Sequence, residues 1–324
     1  MAKRKKKKAS ELPVRESNRL GSHNSLGLQQ RVRPNVEETT AVQIWRRENG
    51  EASILYDPWC VNTNAQVVHG HYHTSWARNI FFNHRDGIFK KPALFDWTGK
   101  TVYIVGRGAS AGKNVDVLNS VERKNPAIFV SSAYVMDMQP VDFAMIADNR
   151  ILVPGHAVYK GAVDNPLLTF PGIDGEIVKD NWRGVYGFNP WTQSPLNNFM
   201  REIFPHLPSV LDILCTSVMA SHLACLNGAA NIVYLGMDNT IKGTHKDLVK
   251  TKDIHGNKVK SMVGYMEMQT ALAQFAGLAR FHCETKFINA TGAGVLGVNF
   301  FEGETLFPWI HQIDMPKALE MFES

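Results

Sequence analysis

The chain has 324 residues, 44% hydrophobic and 20% charged, which excludes gross disorder and leaves enough apolar material for one sizeable core or two modest domains. The net charge of +5 is local, because residues 1–33 hold ten Lys/Arg against two Glu and the remainder is left at −3. No run of about 18 apolar residues occurs, and no apolar segment follows the basic start, so neither a membrane span nor a secretory signal is expected.

Residues 1–40 open on Lys3-Arg4-Lys5-Lys6-Lys7-Lys8 and continue through Ser, Asn, Gly and Gln. Such a block repels itself and stays solvated, as a solubilising leader or as a contact for nucleic acid or an acidic partner. Residues 41–98 read as an irregular, aromatic-rich extension (Trp45, Trp59, Trp76, Phe81, Phe82, Trp97) with one strand near 65–73. His69, His71 and His73 would share a face of that strand, but no acid or cysteine at useful spacing completes a metal site. Cys60, Cys215, Cys225 and Cys283 form no CxxC pair, which predicts free thiols in a reducing cytoplasm.

From residue 99 the pattern becomes regular. Thr101–Val105 is a short β-branched strand, followed by a glycine-rich turn and a helix over 115–123. Strands are expected at 127–131 and 143–147, the latter ending in Asp148-Asn149. Residues 151–200, rich in Gly, Pro, Asn and Trp, read as an insertion or lid with a single edge strand at LLTFPG. Val210, Leu211, Leu214, Val218, His222 and Cys225 recur at helical spacing, which predicts a helix over 209–227 stopped by Asn227-Gly228. A strand at 232–235, a helix at 262–280 and a strand at 286–289 complete the series, and 301–324 reads as a C-terminal tail. Strands alternating with helices over 99–300 predict a Rossmann-like, doubly wound, mainly parallel sheet in three α/β/α layers.

The chemistry-bearing residues fall in the loops after the strands, where such sheets bind ligands. Gly106, Gly108 and Ser110 lie between strand and helix. Glycines there admit a phosphate to backbone amides at the positive end of the helix, and Ser110 either caps that helix or donates to a phosphate oxygen. The spacing matches neither the dinucleotide fingerprint nor the Walker pattern. Asp148-Asn149 ends its strand as a helix cap or as ligand contacts. In NIVYLGMDNTIKGTH (231–245), a buried strand stops at Gly236 and gives way to Asp238, Asn239, Thr240, Lys242, Thr244 and His245. His245 reads either as a general base near Asp238 or as a surface imidazole. No nucleophile elbow, HExxH or paired-cysteine motif is present.

The succession VGRGASAGKN (105–114), VDFAMIADN (141–149), VYLGMDNTIKGTH (233–245), DIHGNKV (253–259) and FINATGAG (287–294) resembles the motility-accessory-factor (Maf) and MptE-like family. The resemblance covers roughly residues 100–298. It implies a sialyltransferase-like core and one of two activities: transfer of a CMP-activated nonulosonic acid, or Mg²⁺- and ATP-dependent 6-hydroxymethylpterin diphosphokinase chemistry. Diphosphokinase members carry an acidic cluster after the third strand, where this chain has only Asp148 in Ala147-Asp148-Asn149-Arg150. The resemblance therefore implies a cytoplasmic glycosyltransferase-like enzyme with His245 and Asp238 catalytic. Gly106, Gly108, Ser110, Asp148, Asn149, Asn239, Asn289 and Thr291 would hold the nucleotide sugar, with no metal required. Asp148 and Asp238 would become Mg²⁺ ligands in the diphosphokinase alternative, and a non-catalytic binding protein on the same fold is the third reading. Arg107, Ala109, Asn239 and Gly292-Ala293 depart from the family pattern.

Overall fold

The computed structural model describes residues 42–48, 51–56, 73–130, 142–147, 163–175, 178–179, 182–191, 195–211, 215–240, 248–300 and 302–324. In chain order the first elements are strands β1 (Val42–Glu48) and β2 (Glu51–Tyr56), helix α1 (His73–Arg85), β3 (Lys91–Pro92), β4 (Thr101–Val105) and α2 (Ala111–Leu118). Strands β5 (Ala127–Phe129), β6 (Phe143–Met145), β7 (Val163–Thr169), β8 (Trp182–Gly187) and β9 (Asn189–Trp191) follow, then α3 (Pro195–Ile203), β10 (Ser209–Leu211) and α4 (Thr216–Leu226). The last third holds β11 (Asn231–Leu235), β12 (Leu248–Lys252), β13 (Lys258–Met262), α5 (Val263–Cys283) and β14 (Lys286–Asn289). It ends in β15 (Val298–Asn299), β16 (Thr305–Leu306), β17 (Ile310–Gln312) and α6 (Met315–Phe322).

Nine strands form one sheet in the order β17-β14-β11-β4-β5-β6-β7-β8-β3, with every neighbouring pair parallel. All five residues of β4 are buried, as are Ile232 to Leu235 of β11, because parallel strands covered on both faces read as continuous apolar runs rather than alternating ones. Helix α4 packs on α5 and on β4, while α2 packs on α6 and on β11. The chain lays down β4 to β8 outward in one direction and then returns to place β11, β14 and β17 on the other side of β4. The strand order thus reverses between β4 and β11. That is the doubly wound α/β arrangement predicted from the sequence.

Several boundaries differ. Within the extension over 41–98, α1 buries Trp76, Ile80 and Asn83 at helical spacing, and β3 supplies one edge of the main sheet. His73 opens α1 rather than closing a strand, while residues 65–72, with His69 and His71, lie outside the described residues. Within 151–200, β7 and β8 are integral sheet strands and not an edge strand under a lid. Pro166 and Gly184, paired across these strands beside a register shift, obscured their apolar pattern. Residues 209–211 are strand β10, parallel to β9, and α4 begins only at Thr216. The C-terminal segment is no tail either, since it provides β17 and α6. Cys215, Cys225 and Cys283 are free thiols; Cys60 lies outside the described residues.

Candidate active site

In open α/β sheets the ligand crevice lies beyond the carboxyl ends of the strands that flank the reversal, here β4 and β11. Each of these strands ends in a glycine turn, and the two turns are stitched together. The Gly106 amide donates to the Leu235 carbonyl at 2.7 Å and the Gly108 amide to the Gly236 carbonyl at 2.6 Å. Gly108 leaves no space for a side chain, because a Cβ there would lie 2.0 Å from Asp238 Oδ2 and 2.6 Å from the Gly236 carbonyl oxygen. Gly236 itself has φ +61° and faces Ala111 across a would-be Cβ distance of 2.7 Å. The glycines therefore bring the first turn of α2 against the β11 loop.

Asp238 is the centre of this arrangement. Its buried carboxylate accepts from the Ser110 amide at 3.2 Å and from the Ser110 hydroxyl at 2.6 Å, both through Oδ2. Ser110 is the N-cap residue of α2 yet makes no side-chain capping bond, so its hydroxyl serves Asp238 and not the helix. A carboxylate in that position is favoured by the positive end of the helix. Behind it, buried Asn114 on α2 accepts the Gly236 amide through Oδ1 at 3.1 Å.

The third wall is the loop after β14. Thr291 accepts the Met237 amide at its hydroxyl (3.1 Å) and donates its own amide to Asn289 Oδ1 (3.1 Å). Asn289 Nδ2 donates to the Leu296 carbonyl at 3.2 Å and to Gln312 Oε1 at 2.8 Å. Asn289 and Thr291 are both buried, so they shape the loop from within. Gly294, at φ +84°, lets the Asp238 carbonyl approach to 2.1 Å of its would-be Cβ, and the next amide, Val295, donates to that carbonyl at 2.9 Å.

The fourth wall is the β12–β13 hairpin, whose turn is tied to the Gly292–Gly294 loop. The Ile254 amide donates to the Gly294 carbonyl at 2.9 Å, and His255 Nε2 lies 3.1 Å from the Gly292 carbonyl. Partial burial acts to raise the Asp253 carboxyl, but the Asn257 amide and side chain and the His255 amide outweigh it, and its pKa lies below the ordinary value. Asn239 adopts φ +49°, a left-handed conformation that an asparagine tolerates, and its carbonyl accepts the Ser261 hydroxyl at 2.7 Å. That local geometry accounts for an amide side chain at this position.

Seven of the expected site residues (Gly106, Gly108, Ser110, Asp238, Asn239, Asn289, Thr291) are thus brought together on three converging loops, with the β12–β13 hairpin as the fourth wall. Asp148, Asn149 and His245 lie outside the described residues. Residues that sequence reasoning missed are Asn114, Gly294, His255 and Gln312. Asn114 stood in the quoted glycine motif, where a buried amide one helical turn beyond Ser110 was the available signal. Gln312 carried no signal, because its segment read as a tail.

The fold and the placement of the crevice define the Rossmann-like, three-layer α/β class. A solved structure with a similar fold is that of a Maf glycosyltransferase from Magnetospirillum magneticum AMB-1, at TM-score 0.56 and 14% identity over 93% of this chain and 47% of that one. The chain therefore spans about half the length of that protein. No family model matches the sequence, and no curated protein matches it. Among the described residues, no three His, Cys, Asp or Glu side chains group as metal ligands, and no helix is long and apolar enough to cross a membrane.

Proposed function

We propose that the chain is a nucleotide-sugar-dependent glycosyltransferase that takes a CMP-activated nonulosonic acid at the carboxyl edge of β4 and β11. The supporting observation is the convergence of the four loops at the reversal of an all-parallel sheet, in a fold similar to that of a Maf glycosyltransferase. In this reading the donor phosphate lies beside the Gly106–Ser110 turn at the amino end of α2, held by groups other than the Gly106, Gly108 and Ser110 amides and the Ser110 hydroxyl, which are engaged within the protein. Asp148 and Asn149 contact the nucleotide sugar, and Asn239 lines the rim. Asp238 holds the Ser110 turn in shape, while Asn289 and Thr291 hold the opposite loop.

The transfer breaks the bond between the anomeric carbon and the CMP phosphate oxygen, and CMP leaves with the electron pair. The acceptor hydroxyl oxygen forms the new bond to that carbon as its proton passes to His245. A single-phosphate leaving group needs no second cation to depart, so the reading requires no metal. The enzyme is cytoplasmic in this reading, where nucleotide sugars are made.

The donor is tested by calorimetry with CMP-activated and UDP-activated sugars on the full chain. Binding of the CMP donor is expected, and absence of binding by every nucleotide sugar overturns the assignment. His245→Ala is expected to lower kcat by about 10²- to 10⁴-fold with the donor affinity retained, the range for loss of a general base. Unchanged turnover removes His245 from that role. Strict Mg²⁺ dependence with AMP release from ATP and a pterin alcohol would instead identify the diphosphokinase reaction.

A further inference from the structure

A second concavity lies away from the carboxyl edge. A groove of about 990 Å³ opens at the opposite side of the sheet, around the amino ends of β4 to β8. Among the described side chains, Lys91, Lys100, Arg123, Lys124 and Arg183 line it, together with the carboxylates Glu122 and Asp142. Asp142 is already engaged: it pairs with Arg123 and accepts the Ala127 amide at 2.7 Å. Glu323, just beyond the rim, is engaged too, accepting the Lys124 amide at 2.6 Å and Asn125 Nδ2 at 3.0 Å. Among the described residues, no salt bridge involves Lys91, Lys100, Lys124 or Arg183.

Lys91, Lys124 and Arg183 form no salt bridge with a described carboxylate and Lys100 acts on Asp96 only at a distance, so these four cations on one concave surface repel each other. They stand out because the chain beyond residue 33 carries a net charge of −3. The groove is also backed by an aromatic floor. Trp97, Phe143 and Tyr186 line it and are held by Phe95, which stacks on Trp97 at 4.9 Å and lies 5.1 Å from Tyr186. Lys91 Nζ stands over the Tyr186 ring at 5.6 Å. An apolar wall of low dielectric constant behind a set of like charges concentrates their field into the groove.

The geometry points to a second ligand site at the amino edge of the sheet, for a compact polyphosphate, either free or carried by a nucleotide. The volume lies within the range of small-ligand pockets, about 300–1,000 Å³. The cations surround the concavity from separate strands and loops, so they suit charge gathered into one small volume. A phosphate chain provides that, with several acceptor oxygens for each charge. This site is separate from the carboxyl-edge crevice, and it stands whether or not the transferase reading does.

The test is calorimetry on the full chain with inorganic triphosphate and with ATP. Both probes are expected to bind with strong salt dependence. The double charge reversal Lys91→Glu/Arg183→Glu is expected to weaken binding at least tenfold, and Lys179→Glu, an exposed lysine outside the groove, is expected to leave it unchanged. An independent pair, Lys100→Glu/Lys124→Glu, gives the same reading if the first variant does not fold. Tighter binding of ATP than of triphosphate identifies a nucleotide as the source, and equal binding identifies free polyphosphate. Failure of both probes to bind, or equal affinity in wild type and both reversal variants, overturns the site.

Discussion

At the scale of single residues, the carboxyl-edge site depends on what the glycines omit. Gly108 faces the Asp238 carboxylate and the Gly236 carbonyl at would-be Cβ distances of 2.0 and 2.6 Å; the first is held in place by Ser110 and the second is backbone. Gly108→Ala is therefore expected to destabilise the protein by about 1–3 kcal/mol, the usual cost of forcing an extra carbon into a packed place. A lowered urea midpoint with an unchanged denaturant slope checks this. Asp238 shows both the reach and the limit of reading residues from sequence. Its place at the end of a buried strand marked it as a site residue. That it faces Ser110, 128 positions earlier, could only come from the packing of one turn on another.

At the scale of elements, α4 is held to β10 by a buried imidazole. His222 Nδ1 accepts the Leu211 amide at 2.8 Å, and burial depresses the His222 pKa to about 3. Unfolded, the ring titrates near 6.5, so both states are neutral above that pH and His222 adds no pH dependence there. As pH falls below about 6.5 the unfolded state takes up the proton first, and stability falls by up to about 1.4 kcal/mol per pH unit until pH reaches about 3. Unfolding free energies measured across pH 3–7 should show this acid limb in wild type and a shallower one in His222→Gln. The same element explains one misplaced boundary. Val210 and Leu211 have the spacing of a helix with Val218 and His222, yet they are paired in β10. Buried strands and buried helices are both apolar throughout, and periodicity cannot separate them over three residues.

At the scale of the whole molecule, the sheet is wider than the regular part of the sequence suggested. The central strands could be read directly because parallel strands buried on both faces give unbroken β-branched and aromatic runs such as Thr101–Val105 and Ile232–Leu235. Of the outer strands only the Leu167–Thr169 end of β7 could be read, since β3 and β17 are two and three residues long and Pro166 and Gly184 interrupt β7 and β8. One consequence is testable at the C-terminus. Helix α6 buries Met315, Ala318 and Leu319, and Glu323 beyond it ties the chain end to Lys124 and Asn125. Deleting residues 314–324 should cost roughly 3–6 kcal/mol, from about 1.5–3 kcal/mol for each large apolar side chain uncovered. Chemical denaturation checks it, and a truncated chain as stable as the full one would restore the reading of this segment as a dispensable tail.

The clasp of Asp238 on Ser110 also bears on how the molecule comes to exist. It joins positions 128 residues apart, and the Asn114–Gly236 bond behind it spans 122. Contacts of such long sequence separation form only after the loop-closure entropy of the intervening chain has been overcome, which slows folding. The crevice is therefore absent while the first half of the sheet stands alone. It begins to form when β11 docks beside β4 and is complete only once the Gly292–Gly294 loop has been made.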